Sequence, residues 1–570
     1  MRLIIVGGVA AGMSAATRAR RLSETAEIVV LEAGPYVSFA NCGLPYHLAG
    51  EIADRKKLLV QKPESLRARA NLDVRVNSRV TRIDRSRRVV AVAGPEGEYE
   101  LGYDDLILAP GAQAVVPDLP GIDLPQVSTL QTIDELDRIM EVAESAKQTA
   151  EAAGRRPLAV VLGAGFIGLE TAEALATRGF EVAVVEAAER VLAPMPAELS
   201  RLVEAELTRH GVAVHTGQPA RAIEAPASAG GEGAAVQVRL EDGALPADLV
   251  VCSVGVRPRS ELAADAGLAL TERGAIVVDE CQRTSDPHIY AAGDATACPL
   301  AAGGTGTVLL AAPANRQGRR AADAILGAEV GVAPTPVRPA GATAIVRVFD
   351  LVAARTGASA AQLEAAGADW FAVRVTAPSH AGYYPGAQMM NLVAYFGADG
   401  TLLGAAATGG EGVDKRIDVL ATALQAGMTA DDLTELDLCY APPFGAAKDA
   451  ITMLGMAAQN VLTGLSPQVD PTETAAALEH DIVLDVRNQG ERDRTHMPGT
   501  LFIPLPQLRE RIGEVHEAVA AHPGARVFVH CRSGQRSYLA VRILRQNGID
   551  AVNISGGELA IQRVAPELWQ

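Results

Sequence analysis

The feature that most narrows what this chain can fold into is a pattern written twice: apolar strand, glycine turn, helix, second apolar strand, terminal acid. The first copy runs from Leu3–Val6 through Gly7-Gly8-Val9-Ala10-Ala11-Gly12 and a helix to Arg21, then Ile28–Leu31 ending in Glu32. The second runs from Leu158–Leu162 through Gly163-Ala164-Gly165-Phe166-Ile167-Gly168 and a helix to Arg178, then Val182–Val185 ending in Glu186. In such a βαβ unit the glycines let backbone approach a pyrophosphate and the helix N-terminus offers free N–H groups. The acid about 20 residues on reaches ribose hydroxyls. Two dinucleotide sites are therefore expected. The second turn fits G-x-G-x-x-G, whereas the first departs from it, with glycines at 7, 8 and 12 and Val9 between. Glu186 favours NADH, because a carboxylate repels a 2′-phosphate; Arg190 nearby leaves NADPH open.

Length sets the number of units. At about 150 residues per domain, 570 residues give roughly three to four. Tyr103-Asp-Asp-Leu-Ile-Leu-Ala-Pro-Gly111 and Thr284-Ser-Asp-Pro-His-Ile-Tyr-Ala-Ala-Gly-Asp294 read as returns to the first unit, so the second is inserted within it. The Pro-rich stretch 330–340 precedes an α+β region, and 464–475 reads as a linker into a further α/β unit. The fold class expected is α/β, with two Rossmann-type dinucleotide-binding domains, an α+β domain and a C-terminal α/β domain. The boundaries expected are 1–115 with 245–325, 116–244, 326–455, a linker 456–469, and 470–570.

Composition excludes several classes. A formal charge of -17 opposes broad nucleic-acid binding. No apolar run reaches the about 18 to 20 residues of a membrane span. The N-terminal MRLIIVGGVAAGMSAA lacks the charged region and cleavage site of a signal peptide. Cysteines at 42, 252, 281, 298, 439 and 531 form neither a metal pattern nor a dense disulfide framework. A cytoplasmic protein with no metal is expected.

Ser38-Phe-Ala-Asn-Cys-Gly-Leu-Pro-Tyr46 resembles the active-site motif of the coenzyme A-disulfide reductase group of pyridine nucleotide-disulfide oxidoreductases. Ala312-Pro-Ala-Asn-Arg-Gln-Gly318, Gly412-Val-Asp-Lys-Arg-Ile-Asp418 and Tyr440-Ala-Pro-Pro-Phe444 resemble further segments of that group, and together they cover residues 1 to about 460. The resemblance implies FAD in the first site, Cys42 on the flavin face and Asp294 at the flavin ribitol. Motif and resemblance together give as FAD contacts Gly7, Gly8, Ala10, Ala11, Gly12, Glu32, Ala33, Asn41, Val80, Ala109, Gly111, Gly293 and Asp294. Nicotinamide dinucleotide contacts are Gly163, Gly165, Phe166, Ile167, Gly168, Glu186 and Gly255.

Disulfide reductases with an internal pair carry C-x4-C, but position 47 here is His. A ligand must bring the second sulfur to Cys42, or oxygen must make a sulfenic acid. The attacking species has to be a thiolate, so a lowered thiol pKa is expected. The sulfenic route describes NADH oxidases and peroxidases of the same fold, whose peroxidase members place a His in the first glycine turn; here that turn holds Val9-Ala10. The resemblance implies coenzyme A contacts at Ser14, Arg18, Arg21, Ser38, Asn41 and Lys448, and a homodimer through residues 330–455. It also implies that Tyr440, with Tyr383 or Tyr384, reaches across the dimer to steady a leaving thiolate. Aromatic core packing is the alternative for Tyr383 and Tyr384.

Asp485-Val-Arg-Asn-Gln-Gly-Glu-Arg, His496-Met-Pro-Gly499 and His530-Cys-Arg-Ser-Gly-Gln-Arg536 resemble a rhodanese domain over about 466–570. A six-residue loop running from a cysteine into a helix turns backbone N–H groups inward as an anion nest. Cys531, with Arg532, Ser533, Gly534, Gln535 and Arg536, would there carry a persulfide. The function expected is an FAD-dependent NAD(P)H reductase of coenzyme A persulfide, polysulfide and coenzyme A disulfide, joined to sulfur transfer from donors such as thiosulfate. An NADH oxidase or peroxidase is the rival enzyme, and a non-catalytic flavoprotein redox sensor the rival of another class.

Overall fold

The computed structural model describes residues 1–225 and 234–570. They form two compact units: Met1–Glu189 with Leu207–Ala342, and Arg190–Glu206 with Thr343–Gln570.

The first unit holds two five-stranded parallel sheets. One is ordered Ile289–Ala291, Asp105–Leu108, Arg2–Val6, Glu27–Leu31, Asp73–Arg75. The other is ordered Ala213–His215, Glu181–Val185, Leu158–Leu162, Leu249–Cys252, Val127–Ser128. Continuous apolar runs suit strands covered on both faces: Leu3, Ile4 and Ile5 are fully buried, as are Val161 and Val184. Ile289 pairs with Leu106 beside Arg2–Val6, so the first sheet closes only when the chain returns. The second sheet extends past residue 244, because Leu249–Cys252 pairs with Ala159–Leu162.

The repeat seen in sequence extends to individual hydrogen bonds. Gly7 N–H donates to Leu31 O at 2.8 Å, and Gly163 N–H donates to Val185 O at 2.7 Å. Glu32 N–H donates to Arg75 O, and Glu186 N–H to His215 O. The first helix, Ala10–Leu22, buries Ala15, Ala16 and Ala19. Small residues there permit close approach of helix Ala311–Leu326, where a Cβ on Gly318 would stand 2.1 Å from the Ala11 carbonyl oxygen.

The second unit opens with an antiparallel sheet ordered Ala344–Val348, Leu351–Gly357, Leu402–Gly409, Met389–Gly397, Trp370–Pro378. Helices Val413–Ala426 and Ala450–Leu462 pack on it through Ile417, Leu420, Leu454 and Ala458. Arg416 and Asp449, both buried, join these helices at 2.6 Å, and Asp449 also caps the second of them. Residues 456–462, expected in a linker, instead complete that helix, because Ala458 and Val461 belong to its apolar face. A five-stranded parallel sheet follows, ordered Gln468–Val469, Ala551–Ile554, Val527–His530, Ile482–Asp485, Leu501–Phe502.

Candidate active site

At the C-terminal ends of the first sheet's strands lies a cavity of about 610 Å³, the usual ligand position in an open α/β sheet. Every residue expected to contact FAD lines it except Gly12. Gly12 lies beneath the turn, where a Cβ would stand 1.8 Å from the Gly7 carbonyl oxygen. Glu32 braces the same turn: Oε2 accepts from Gly8 N–H at 2.7 Å and Oε1 from Gly34 N–H at 2.8 Å. The start of helix Ala311–Leu326 also borders the cavity, through Leu310 and Ala311. Two helix N-termini therefore face the space a pyrophosphate needs.

Cys42 lines this cavity with Asn41 and Asp294. It sits in a single 3-10 turn, Asn41–Gly43, that leads into helix Leu44–Ala49. The approach to it is fixed by Ser38, a left-handed residue (φ 48) whose N–H donates to Gly8 O at 2.8 Å. Cys42 N–H donates to Asn41 Oδ1 at 3.0 Å. His47, five positions on, is held by the main chain that follows its helix, with Nδ1 2.5 Å from Ile52 O.

The lowered thiol pKa expected at Cys42 does not come from these residues. Burial pushes the thiol up, the negative charges of Glu170 and Asp294 push it further, and only its own backbone N–H works the other way. Burial also raises Asp294, to about 6. Glu170 accepts a hydrogen bond from Tyr46 Oη at 2.9 Å. Cys42 is nonetheless exposed, and a positive or hydrogen-bonding group brought into the cavity would favour its thiolate.

The second glycine turn repeats the first. Glu186 Oε2 accepts from Ala164 N–H at 2.7 Å and Oε1 from Ala188 N–H at 2.8 Å. A Cβ on Gly168 would stand 2.0 Å from the Gly163 carbonyl oxygen, while Gly165 is exposed and a Cβ there would meet nothing within 4 Å. Open space over Gly165 fits a pyrophosphate approaching the backbone. Phe166 and Ile167 begin the helix there, and Gly255 follows the sheet with φ 130.

The residues expected at coenzyme A fall in both units. On the first helix Ser14 hydrogen-bonds Asn315, Arg18 pairs with buried Asp323 at 2.5 Å, and Arg21 is exposed. Lys448 is exposed in the second unit. Tyr383 is 78% exposed and its hydroxyl lies 3.2 Å from that of Tyr440, whereas Tyr384 packs edge-on against His380. Of the two tyrosines, Tyr383 is the one whose hydroxyl neighbours that of Tyr440.

Cys531 directly follows strand Val527–His530 and is 1% exposed. Its Sγ accepts from Gly534 N–H at 3.3 Å, an inward amide that Gly534 supplies by adopting φ 94. It also accepts from Ser537 Oγ at 3.4 Å. Arg536 is held by both oxygens of Glu491, at 2.6 and 2.7 Å. That bond takes the Glu491 carboxyl down to about 2. Arg532 and Gln535 face solvent, and Ser533 is half-buried. Beneath the loop Arg487 joins Asp485 and Glu558, all out of solvent.

Residues 1–318 match the model for pyridine nucleotide-disulphide oxidoreductases. The chain belongs to that family. Residues 343–451 of this oxidoreductase match the family's dimerisation domain, and 470–563 a rhodanese-like domain. Its structure is similar to that of reduced Bacillus anthracis CoADR-RHD, with 38% identity, TM-score 0.92, and coverage of 100% and 99% of the two chains. It is also similar to an NAD-dependent persulfide reductase from A. fulgidus, with 37% identity, TM-score 0.87, and coverage of 98% and 99%. Two shorter relatives align over their whole length. They are an NADH oxidase of Methanocaldococcus jannaschii, 32% identical over 82% of this chain, and a coenzyme A disulfide reductase of Staphylococcus haemolyticus, 31% identical over 81%.

The two glycine turns of this oxidoreductase suit FAD and NADH. Sequence reasoning missed Glu170, Tyr46 and Ser537, and gave Glu491 no role. Ser537 had one signal, a small hydroxyl in the first turn of the helix that closes the cysteine loop. Glu170 and Tyr46 had none, since 124 residues separate them. Among the described residues no helix is long and apolar enough to cross a membrane.

Proposed function

We propose that this oxidoreductase is an NADH-dependent reductase of coenzyme A persulfide, polysulfide and coenzyme A disulfide, working as a homodimer with Cys531 as carrier of sulfane sulfur. The observation that carries the reading is a solitary thiol: Cys42 opens on the cavity, His47 holds the place of a second cysteine, and all six cysteines are free. Such a thiol turns over an S–S bond only when the substrate brings the partner sulfur.

The Cys42 thiolate attacks one sulfur of the incoming S–S bond. That bond breaks, the other sulfur leaves as thiolate or sulfide and takes a proton, and Cys42 remains in a mixed disulfide. FAD and NADH, when bound, supply the electron pair that restores two thiols. Cys42 then stands ready for the next substrate. Tyr440 and Tyr383, contributed by the partner subunit, are suited to donate the hydrogen bond that steadies the departing sulfur. Ser14, Arg18, Arg21, Ser38, Asn41 and Lys448 are assigned to coenzyme A, with Arg18 oriented by Asp323 and Arg21 free to meet phosphate. The Cys531 nest, with Arg532 at its rim, suits an anionic donor such as thiosulfate.

The test is NADH oxidation measured side by side with coenzyme A persulfide, polysulfide, coenzyme A disulfide and oxygen, on the parent and on Cys42→Ser. Sulfur compounds should outpace oxygen, and Cys42→Ser should keep its flavin while losing sulfide release. Faster turnover with oxygen would replace this reading by the oxidase one. Slow turnover with every acceptor would favour a redox sensor.

A further inference from the structure

One buried cation far from every cysteine in sequence stands behind the Cys531 loop. Arg374, in the middle of strand Trp370–Pro378, is 10% exposed. Its Nε donates to Glu198 Oε1 and its Nη2 to Asp470 Oδ2, both at 2.6 Å. Asp470 belongs to the last unit, where it caps the turn Pro471–Glu473. One guanidinium thus ties the antiparallel sheet to the first turn of the sulfur-transfer module.

The arginine stem does more. It lies against Gly556, where a Cβ would stand 3.0 Å from Arg374 Cδ and 3.4 Å from its Cβ. Gly556 and Gly557 are successive left-handed residues, with φ 76 and 57. The other side of that turn forms the floor of the Cys531 loop. A Cβ on Gly557 would stand 2.4 Å from the Cys531 carbonyl oxygen and 3.0 Å from Gly534 N. Glu558 N–H donates to Cys531 O at 2.7 Å, Leu559 N–H to Arg532 O at 3.0 Å, and Asn553 Nδ2 to Gly534 O at 3.1 Å.

We propose that Arg374 is a positioning residue for sulfur transfer: by pressing on the Gly556–Gly557 turn it fixes the loop whose Gly534 amide faces Cys531 Sγ. Packed interiors transmit displacement because they leave no slack to absorb it. Without its two ion pairs the side chain no longer holds its stem against the turn, and the helix that starts there, Gly557–Val564, carries two of the loop's hydrogen bonds, from Glu558 and Leu559. The sulfur-transfer module is then a part whose reactivity is set from the neighbouring domain, and not an independent passenger. The proposal rests on the reading of Cys531 as a sulfur carrier, but its main readout does not.

The experiment uses full-length holoenzyme. Arg374→Met, Arg374→Lys and a control, Asn391→Ala, are compared; the control cuts a different contact between the same two domains, Arg563 Nη1 to Asn391 Oδ1 at 3.1 Å. Alkylation of Cys531 is followed by peptide mass spectrometry across pH, beside thiosulfate-to-cyanide sulfur transfer and NADH-dependent coenzyme A disulfide reduction. Arg374→Met should shift the pH profile of Cys531 alkylation and slow sulfur transfer about five-fold or more, with disulfide reduction unchanged. Arg374→Lys should recover part of both, and Asn391→Ala should move neither. Should Arg374→Met fail to fold, Asp470→Asn keeps the cap, weakens the tie and is expected to shift the same profile. An unchanged Cys531 alkylation profile in the folded variants overturns the proposal. Absence of sulfur transfer in the parent, with the profile still shifted, overturns the carrier reading alone.

Discussion

At Cys42 the surrounding charges oppose the reactive form of the thiol. Burial, Glu170 and Asp294 all favour the protonated sulfur, so its thiolate fraction rises only as pH climbs through a raised pKa. Glu170→Gln removes one negative charge and should move the midpoint of Cys42 alkylation to lower pH. Faster alkylation at pH 7 is the expected reading, and a midpoint that stays or rises counts against Glu170. Ser537 offers a second test at this scale. Its hydrogen bond to Cys531 Sγ is worth about 1 kcal/mol, so Ser537→Ala should slow sulfur transfer about five-fold while leaving coenzyme A disulfide reduction intact. Neither residue stood out in the sequence. A serine after a cysteine loop is common, and the Tyr46–Glu170 bond exists only because two distant helices meet.

At the scale of elements, the twin glycine turns are separable parts. Gly168 has no room for a Cβ beside the Gly163 carbonyl, as Gly12 has none beside that of Gly7. Gly168→Ala should therefore distort only the second turn. We expect a raised KM for NADH, read by steady-state kinetics, in a protein that retains its flavin absorbance; loss of flavin would mean that the two turns are coupled. These elements were legible because each glycine, strand and acid is dictated by local backbone requirements. The end of helix Ala450–Leu462 was not. Residues 456–462 look like the start of a linker until Ala458 and Val461 are seen on the buried face. The second sheet's hold on Leu249–Cys252 was equally hidden, since a strand's partner is chosen in space.

For the whole molecule, acid should act first on the C-terminal module. His530 is fully buried, and burial takes it down to about 4 from 6.5. Glu491 is taken down to about 2 by its bond to Arg536. Both groups have folded pKa values below their unfolded ones, so each contributes stability above the unfolded value that is lost as pH falls. The window runs from about 6.5 to 4 for His530 and from about 4.5 to 2 for Glu491. The His530 part is on the order of 3 kcal/mol. Trp569 stands edge-on to His530, with ring centroids 5.8 Å apart, so its fluorescence reports on this module. The fluorescence-detected melting temperature should fall between pH 7 and 4, and His530→Leu should flatten that slope. A slope unchanged by the substitution would place the acid sensitivity elsewhere.

Taken alone, the sequence determined two dinucleotide units, a single cysteine at the first and a cysteine nest at the end, because each is a local arrangement whose residues lie close along the chain. Glycine turns and the loop Cys531–Arg536 need no distant partner to be recognised. Tertiary structure decided what those cysteines experience: acids that raise Cys42, a serine and a clamped arginine around Cys531, and a buried arginine on another domain behind its loop. Electrostatics and packing depend on distance in space. Residues far apart along the chain, such as Arg374 and Gly556, acquire a shared role only when the fold brings them into contact.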